Sequence, residues 1–167
     1  MGSRGANSGK KAKTYALFHG SPNTGITEFD MSRAGMNTSS GEKFIFFTDS
    51  KAMADEFSYE RLETDSMFFN KKGKKGKVYE VDVTMNKPLD MTALTKQDKA
   101  NLIKLSDGEL TEAQIDRYSK GNNQLIKAYI NLDDITKYGY DGFIAKMDNS
   151  GAKEYAVLSS KQAKIRK

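Results

Sequence analysis

His19 is the only histidine in the 167-residue chain, and it sits in Phe18-His19-Gly20-Ser21, directly after an apolar run and before turn-forming residues. Far downstream, Lys153-Glu154-Tyr155-Ala156-Val157 sets one carboxylate in an alternating, strand-like run. Between them lies Phe46-Phe47-Thr48-Asp49, two aromatic rings followed by helix-capping residue types. An imidazole exchanges protons and hydrogen bonds near neutral pH. A fixed carboxylate stabilises developing positive charge, and aromatic faces hold cationic groups. Together these groups could line one binding cleft, provided the fold brings the three segments together.

Taken singly, each residue has a plainer reading. A lone histidine near a strand end is more often structural than functional, and a glutamate in an alternating strand usually marks the solvated face. Phe44, Phe46 and Phe47 read as core, and strand alternation forbids Phe46 and Phe47 from facing the same side. The functional reading therefore rests on the trio and its order.

The elements that must position these residues can be traced from patterning. Tyr15-Ala16-Leu17-Phe18 is a short buried-strand run stopped by Gly20-Ser21-Pro22-Asn23, which places His19 at the strand's carboxyl end. Lys43-Phe44-Ile45-Phe46-Phe47 reads as a second core strand, and Thr48-Asp49-Ser50 offers N-caps for a helix through about Tyr59. Such strand ends hold side chains rigidly while adjoining turns leave their tips accessible. Residues 71 to 77, a Lys/Gly run, are too polar and glycine-rich for a regular element and read as a loop. Val78 to Val83 alternates as a half-buried strand, with Tyr79, Val81 and Val83 on one side. Residues 95 to 138 carry apolar positions at helical spacing, broken at Asp107-Gly108 and Gly121-Asn122, which predicts two or three helices. Tyr140-Asp141-Gly142 reads as a turn before strands at about 142 to 147 and 153 to 158, joined by the hairpin loop Asp148-Asn149-Ser150-Gly151. Strands at both ends with helices between them predict an α+β fold.

Composition bounds the chemistry. The length suits one domain, read as residues 14 to 167, behind a flexible basic tail at 1 to 13 that has too few apolar groups to order itself. With no cysteine and one histidine, disulfide scaffolds, zinc fingers, thiol catalysis and multi-histidine metal sites are excluded; carboxylate-only Mg or Ca sites stay formally open, but no EF-hand-like spacing occurs and no metal is expected. No apolar run approaches the ~20 residues that span a bilayer, and the N-terminus lacks a signal-peptide core. A soluble, cytoplasmic monomer is the expectation. The net charge of +5 comes largely from lysine clusters near both ends and at 71 to 77. The central cluster reads first as a solvated loop and second as a contact for an acidic partner.

The order of motifs resembles a known family. His19-Gly20-Ser21, then Ile45-Phe46-Phe47-Thr48-Asp49 with Phe57 eleven residues after Phe46, then Glu154-Tyr155-Ala156-Val157, are similar to the three motifs of ADP-ribosyltransferases of the His-Tyr-Glu class. That class includes diphtheria toxin and the poly(ADP-ribose) polymerases. Lys87-Pro88-Leu89-Asp90 and Tyr140-Asp141-Gly142-Phe143 also resemble small phage and bacterial members. The resemblance spans residues 14 to 165. It implies split antiparallel β-sheets around an NAD cleft, with a helical insertion. It further implies NAD+ as co-substrate, Glu154 as the catalytic carboxylate, and His19, Gly20 and Ser21 as NAD-contacting residues. Phe46 and Phe57 would sandwich the nicotinamide ring. Arg33 would reach the adenosine phosphate, although a surface arginine is its plainer reading.

The implied activity is transfer of a single ADP-ribose to a macromolecular acceptor, protein before RNA or DNA, as in a phage or bacterial effector acting inside a host cell. Two departures from the family pattern bear on it. Phe46 stands where the class usually has tyrosine, and Ala54 where the polymerases often have serine, so two polar contacts are missing. These changes favour the alternative of a catalytically weak or inactive NAD or ADP-ribose-binding module. NAD glycohydrolase activity would use the same cleft with water as acceptor. The related tRNA 2′-phosphotransferases need further histidines, which this chain lacks.

Overall fold

The computed structural model describes residues 11–33, 43–62, 71–147 and 151–167. Strand β1 (Lys13–Ser21) forms a long ladder with β5 (Lys77–Met85), in which Lys13 pairs with Met85 and Ser21 with Lys77. Alternation decides what this ladder buries: Tyr79, Val81, Val83 and Met85 of β5 all face inward, as the period-two pattern predicts. Pairing begins at Lys13, inside the stretch expected to be a tail. Residues 1–10 lie outside the described residues.

The remaining strands are β2 (Ile45–Thr48), β3 (Tyr59–Leu62), β4 (Lys71–Lys75), β6 (Pro88–Asp90), β7 (Gly142–Lys146), β8 (Lys153–Val157) and β9 (Ala163–Ile165). Seven strands form one sheet in the order β6-β7-β8-β2-β1-β5-β9, antiparallel except for the parallel pair β6 and β7. The join between β2 and β1 is a single register pair, Phe18 with Thr48, whereas β2 and β8 pair along the whole of β2. The sheet is therefore two well-paired halves meeting at a narrow seam. A mixed, mostly antiparallel α+β architecture matches the expected fold class.

Two apolar clusters cover the sheet. Leu17, Phe47, Tyr79, Val81, Ile144 and Tyr155 belong to one. The other is built on Phe44, Phe143, Ala145 and Ala156 and is closed by the helices between β6 and β7. Those helices are α2 (Lys96–Leu105), α3 (Glu112–Lys120), the single turn α4 (Gln124–Lys127) and a 3-10 segment at Leu132–Tyr138. Thr95 with Asp98 and Thr111 with Gln114 form capping boxes that start α2 and α3. Such caps contribute about 1 kcal/mol each. Burial of Leu102, Ile115, Ile126 and Ile135 does the larger part, since each such side chain contributes about 1.5–3 kcal/mol. Tyr140 ties α2 to the sheet by donating to Asp98 at 2.7 Å and accepting from Asn101 at 2.9 Å. Burial, aided by Asp98, pushes its phenol well above the usual tyrosine range.

Two expectations are corrected. The helix after β2, α1 (Lys51–Phe57), stops at Phe57 because Ser58 turns back to bond the Asp55 carbonyl and Tyr59 opens a strand. The lysine run is not a loop: Lys71–Lys75 pairs with β3 as a two-stranded ribbon, and Lys77 already belongs to β5. Sequence polarity misleads there because two of the lysines find partners in α1 and on the facing strand. Lys72 and Lys75 lie 4.7 and 5.5 Å from the Tyr59 ring centre and pair with Glu56 and Asp55 at 2.7 and 2.8 Å. The hairpin segment Asp148 to Ser150 lies outside the described residues.

Candidate functional site

The site is built at the seam. Beyond Phe18 no ladder from β2 continues along β1 toward Ser21. Here the His19 ring substitutes for the missing ladder, bonding the Phe46 carbonyl through Nδ1 at 2.8 Å. A carbonyl oxygen can only accept, so Nδ1 carries the proton and Nε2 of the neutral ring is left as an acceptor. The imidazole is half-buried against Phe29 and Phe47, with ring centres 5.1 and 5.5 Å away. Desolvation lowers its pKa, partly offset by the bond to Phe46, so the ring is neutral at pH 7.

Gly20 is fixed by a close approach rather than by a turn. A Cβ there would fall 1.7 Å from the Ala54 carbonyl oxygen and 2.7 Å from its carbon. The glycine thus seats α1 directly on β1, and fully buried Ala54 is the matching small residue. Ser21 is buried and its hydroxyl accepts from the Asn23 amide at 3.1 Å. Tyr79 closes the following loop by donating to the Asn23 carbonyl at 2.7 Å.

On the other half of the seam, the Phe46-Phe47-Thr48-Asp49 segment connects β2 to both α1 and β8. Ser50 caps α1 through the Met53 amide, and Thr48 accepts from the Ser50 amide. Asp49 accepts from the Lys153 amide at 2.9 Å, which fixes the start of β8 one residue before Glu154. Register then sets Glu154 opposite Thr48 and Ala145. Because directly paired residues share a face, Glu154 lies on the Phe46 side of the sheet, while His19 lies on the Phe47 side. Neighbouring Tyr155 is buried, and burial, reinforced by Asp49, pushes its phenol up to about 12.

Glu154 is only 8% exposed, yet it is not isolated. Lys127 of α4 donates to its Oε1 at 2.6 Å, and Gln124 donates to the same oxygen at 3.1 Å. Gln124 also donates to the Lys146 carbonyl at 2.7 Å, and its own Oε1 accepts from Lys127 at 3.1 Å. Buried Asn123 anchors the turn, donating to the Tyr118 and Ser119 carbonyls and accepting from the Lys146 amide. The Lys127 ammonium also lies 5.2 Å from the Phe143 ring centre and 6.0 Å from that of Phe46.

The seam thus brings His19, Phe46 and Glu154 onto three adjacent strands, β1, β2 and β8. Phe46 has Phe44 and Phe143 as its ring neighbours, and Phe57, at the end of α1, is 44% exposed. Arg33 ends a short 3-10 turn (Met31–Arg33), and its side chain lies outside the described residues. Sequence reasoning missed Asn123, Gln124 and Lys127. Gln124 and Lys127 stand three apart, on one face of a helical turn, but nothing local to them announces that this face meets β8. Among the described residues no cluster of three or more His, Asp or Glu is placed to hold a metal ion, and no helix is long and apolar enough to cross a membrane. A cavity of about 560 Å³ lies elsewhere, among Thr92, Leu94, Lys99, Asp116 and Lys146, and none of the predicted site residues lines it.

No curated protein matches the chain. A solved structure described as "Crystal structure of an anti-CRISPR protein" is 14% identical, over 92% of this chain and 96% of that one, with a TM-score of 0.47. The family model for the ADP-ribosyltransferase in polyvalent proteins matches residues 10–166, and the chain belongs to that family.

Proposed function

We propose that the protein is a mono-ADP-ribosyltransferase of the His-Tyr-Glu type, with phenylalanine in the middle position. The observation that carries this reading is Glu154: a nearly buried carboxylate, fixed by strand register and by Gln124, on the same face as the Phe46 ring and at the seam that His19 bridges. In the reaction, the bond between C1′ of the nicotinamide ribose and the pyridinium nitrogen breaks, and nicotinamide leaves with the bonding electron pair. An acceptor nucleophile bonds to C1′ and releases its proton. Glu154 accepts from the ribose 2′-hydroxyl and faces the positive charge that develops at C1′. Removing such a fixed group commonly lowers rates by about 10²-fold or more.

The remaining residues divide the binding of NAD+. Nε2 of neutral His19 accepts from an adenosine-ribose hydroxyl, and Ser21 and Arg33 serve the same end of the cleft. The β1 edge at Gly20, free of a β2 ladder, offers backbone groups to the nicotinamide carboxamide. Phe46 and Phe57 flank the nicotinamide ring. The acceptor is a macromolecule, protein before nucleic acid, and the setting is the cytoplasm of a bacterial host. No metal takes part.

The test is nicotinamide release from NAD+, with and without cell lysate, for the wild type and Glu154→Gln. Release that lysate increases, and that falls about 10²-fold in the variant, is the expected result. Release indifferent to lysate identifies a glycohydrolase. A second reading, an NAD-binding module without turnover, is favoured by the Lys127 ammonium already seated on Glu154. NAD+ binding with no release in any condition establishes that reading instead.

A further inference from the structure

The surroundings of the Lys127 ammonium form a complete cation site made of protein. A carboxylate oxygen lies at 2.6 Å and an amide oxygen, that of Gln124, at 3.1 Å. Two aromatic faces, Phe143 and Phe46, lie 5.2 and 6.0 Å away, within cation–π reach. These are the groups that recognise an organic cation: one formal negative charge, one neutral acceptor and two ring faces. The site is largely closed, the side chains of Lys127 and Glu154 being 15% and 11% exposed. Lys127 itself closes it.

We propose that Lys127 is a resident cation occupying the place of the cationic nicotinamide–ribose end of NAD+, and that its withdrawal sets the affinity and charge selectivity of the site. The inference rests on the reading of Glu154 as the NAD-facing carboxylate. Two positive charges cannot share one carboxylate in a poorly hydrated site without strong mutual repulsion. The pyridinium, and still more the charge developing at C1′, therefore excludes the ammonium. Lys127 is built to leave: it is the last residue of the one-turn helix α4, on a flexible stem whose rotamers alone carry the charge to solvent. Gln124 is built to stay. Its amide is pinned to the Lys146 carbonyl and still donates to Glu154 Oε1 after the lysine departs, so the carboxylate keeps its orientation. The division of labour is thus a fixed amide that aims the carboxylate and a mobile cation that guards it.

The discriminating probes are NAD+ and NADH, which share every group except the charge and planarity of the nicotinamide ring. Dissociation constants are measured for both with the wild type, Lys127→Met and Lys127→Arg, with thermal unfolding followed in parallel. Lys127→Met is expected to bind NAD+ about tenfold more tightly than the wild type, while NADH changes by less than about twofold. Lys127→Arg, which keeps a guarding cation, stays close to the wild type. If Lys127→Met does not fold, Lys127→Gln takes its place with the same expectation. Binding of NAD+ that is unchanged or weakened in the uncharged variants, or an equal change for NAD+ and NADH, overturns the proposal and leaves the transferase reading standing. Failure of the wild type and every variant to bind either dinucleotide overturns both.

Discussion

His19 and Glu154 stand on opposite faces of the same narrow seam, and they are held by opposite means. The imidazole meets two phenyl rings and one backbone carbonyl, an environment that rejects charge and keeps it neutral. The carboxylate is the more deeply buried of the two, yet it meets an ammonium and an amide that compensate a negative charge. One group is fixed by backbone geometry and the other by electrostatic compensation. The difference teaches where each is vulnerable. The histidine side depends on α1 being seated against β1, and the glutamate side on a turn of chain from the helical layer.

Breaking the seat of α1 gives the largest expected effect on stability. Gly20→Ala drives a methyl into the Ala54 carbonyl, and neither partner is a flexible side-chain end that can yield. Overpacking of this kind typically costs about 1–3 kcal/mol, and contact with backbone puts it at the upper end. For a chain of this length a loss of about 3 kcal/mol lowers the melting temperature by about 6–12 °C. Thermal unfolding checks it, and a shift under about 2 °C would show that β1 and α1 are not packed as described. The contacts of Glu154 with Lys127 and Gln124 should be untouched, whereas NAD+ binding should weaken along with stability because Gly20 also lies at the proposed carboxamide contact.

The smaller break is on the other face. Gln124→Ala removes the donor to Glu154 Oε1, the bond to the Lys146 carbonyl and one acceptor of Lys127, while leaving the Lys127–Glu154 pair itself. Hydrogen bonds to charged groups contribute about 1.5–3 kcal/mol, so a loss of about 2 kcal/mol is expected. Nicotinamide release should fall further than stability alone explains, because a carboxylate held only by a lysine is free to rotate. Release per folded molecule equal to that of the wild type would remove Gln124 from any positioning role.

The two faces also differ in how far they were legible in the chain. His19 and its surroundings are local: an apolar strand, a glycine and a turn lie within a few residues, and the position at the strand's carboxyl end follows from patterning. The β5 alternation and the β7–β8 hairpin strands were readable for the same reason, since period-two burial is written in consecutive residues. Lys127 and Gln124 were not, because what makes them part of the site is the docking of α4 against β8, a contact between segments far apart in sequence. The lysine ribbon failed differently. Composition says loop, but Tyr59, Asp55 and Glu56 supply partners from the preceding segment that make a strand of lysines acceptable. Patterning reveals which face of a strand is buried, whereas pairing of charges across segments emerges only from the fold.

The smallest effect sharpens the contrast in charge state. In the unfolded chain His19 titrates near 6.5, and in the folded protein burial lowers that value. Below pH 6.5 the unfolded chain therefore binds more protons than the folded one, and stability falls as the pH drops toward the folded value. Above pH 6.5 this contribution is fully present. One site exchanging one proton can tilt the stability curve by no more than about 1.4 kcal/mol per pH unit, which bounds the effect. His19→Gln offers an amide donor to the Phe46 carbonyl without a titrating group, so it should flatten the melting-temperature profile below about pH 6.5. An undiminished slope in His19→Gln would mean that the histidine takes up its proton as readily in the folded protein as in the unfolded chain, and the Phe47 face would then tolerate a charge as the Phe46 face does.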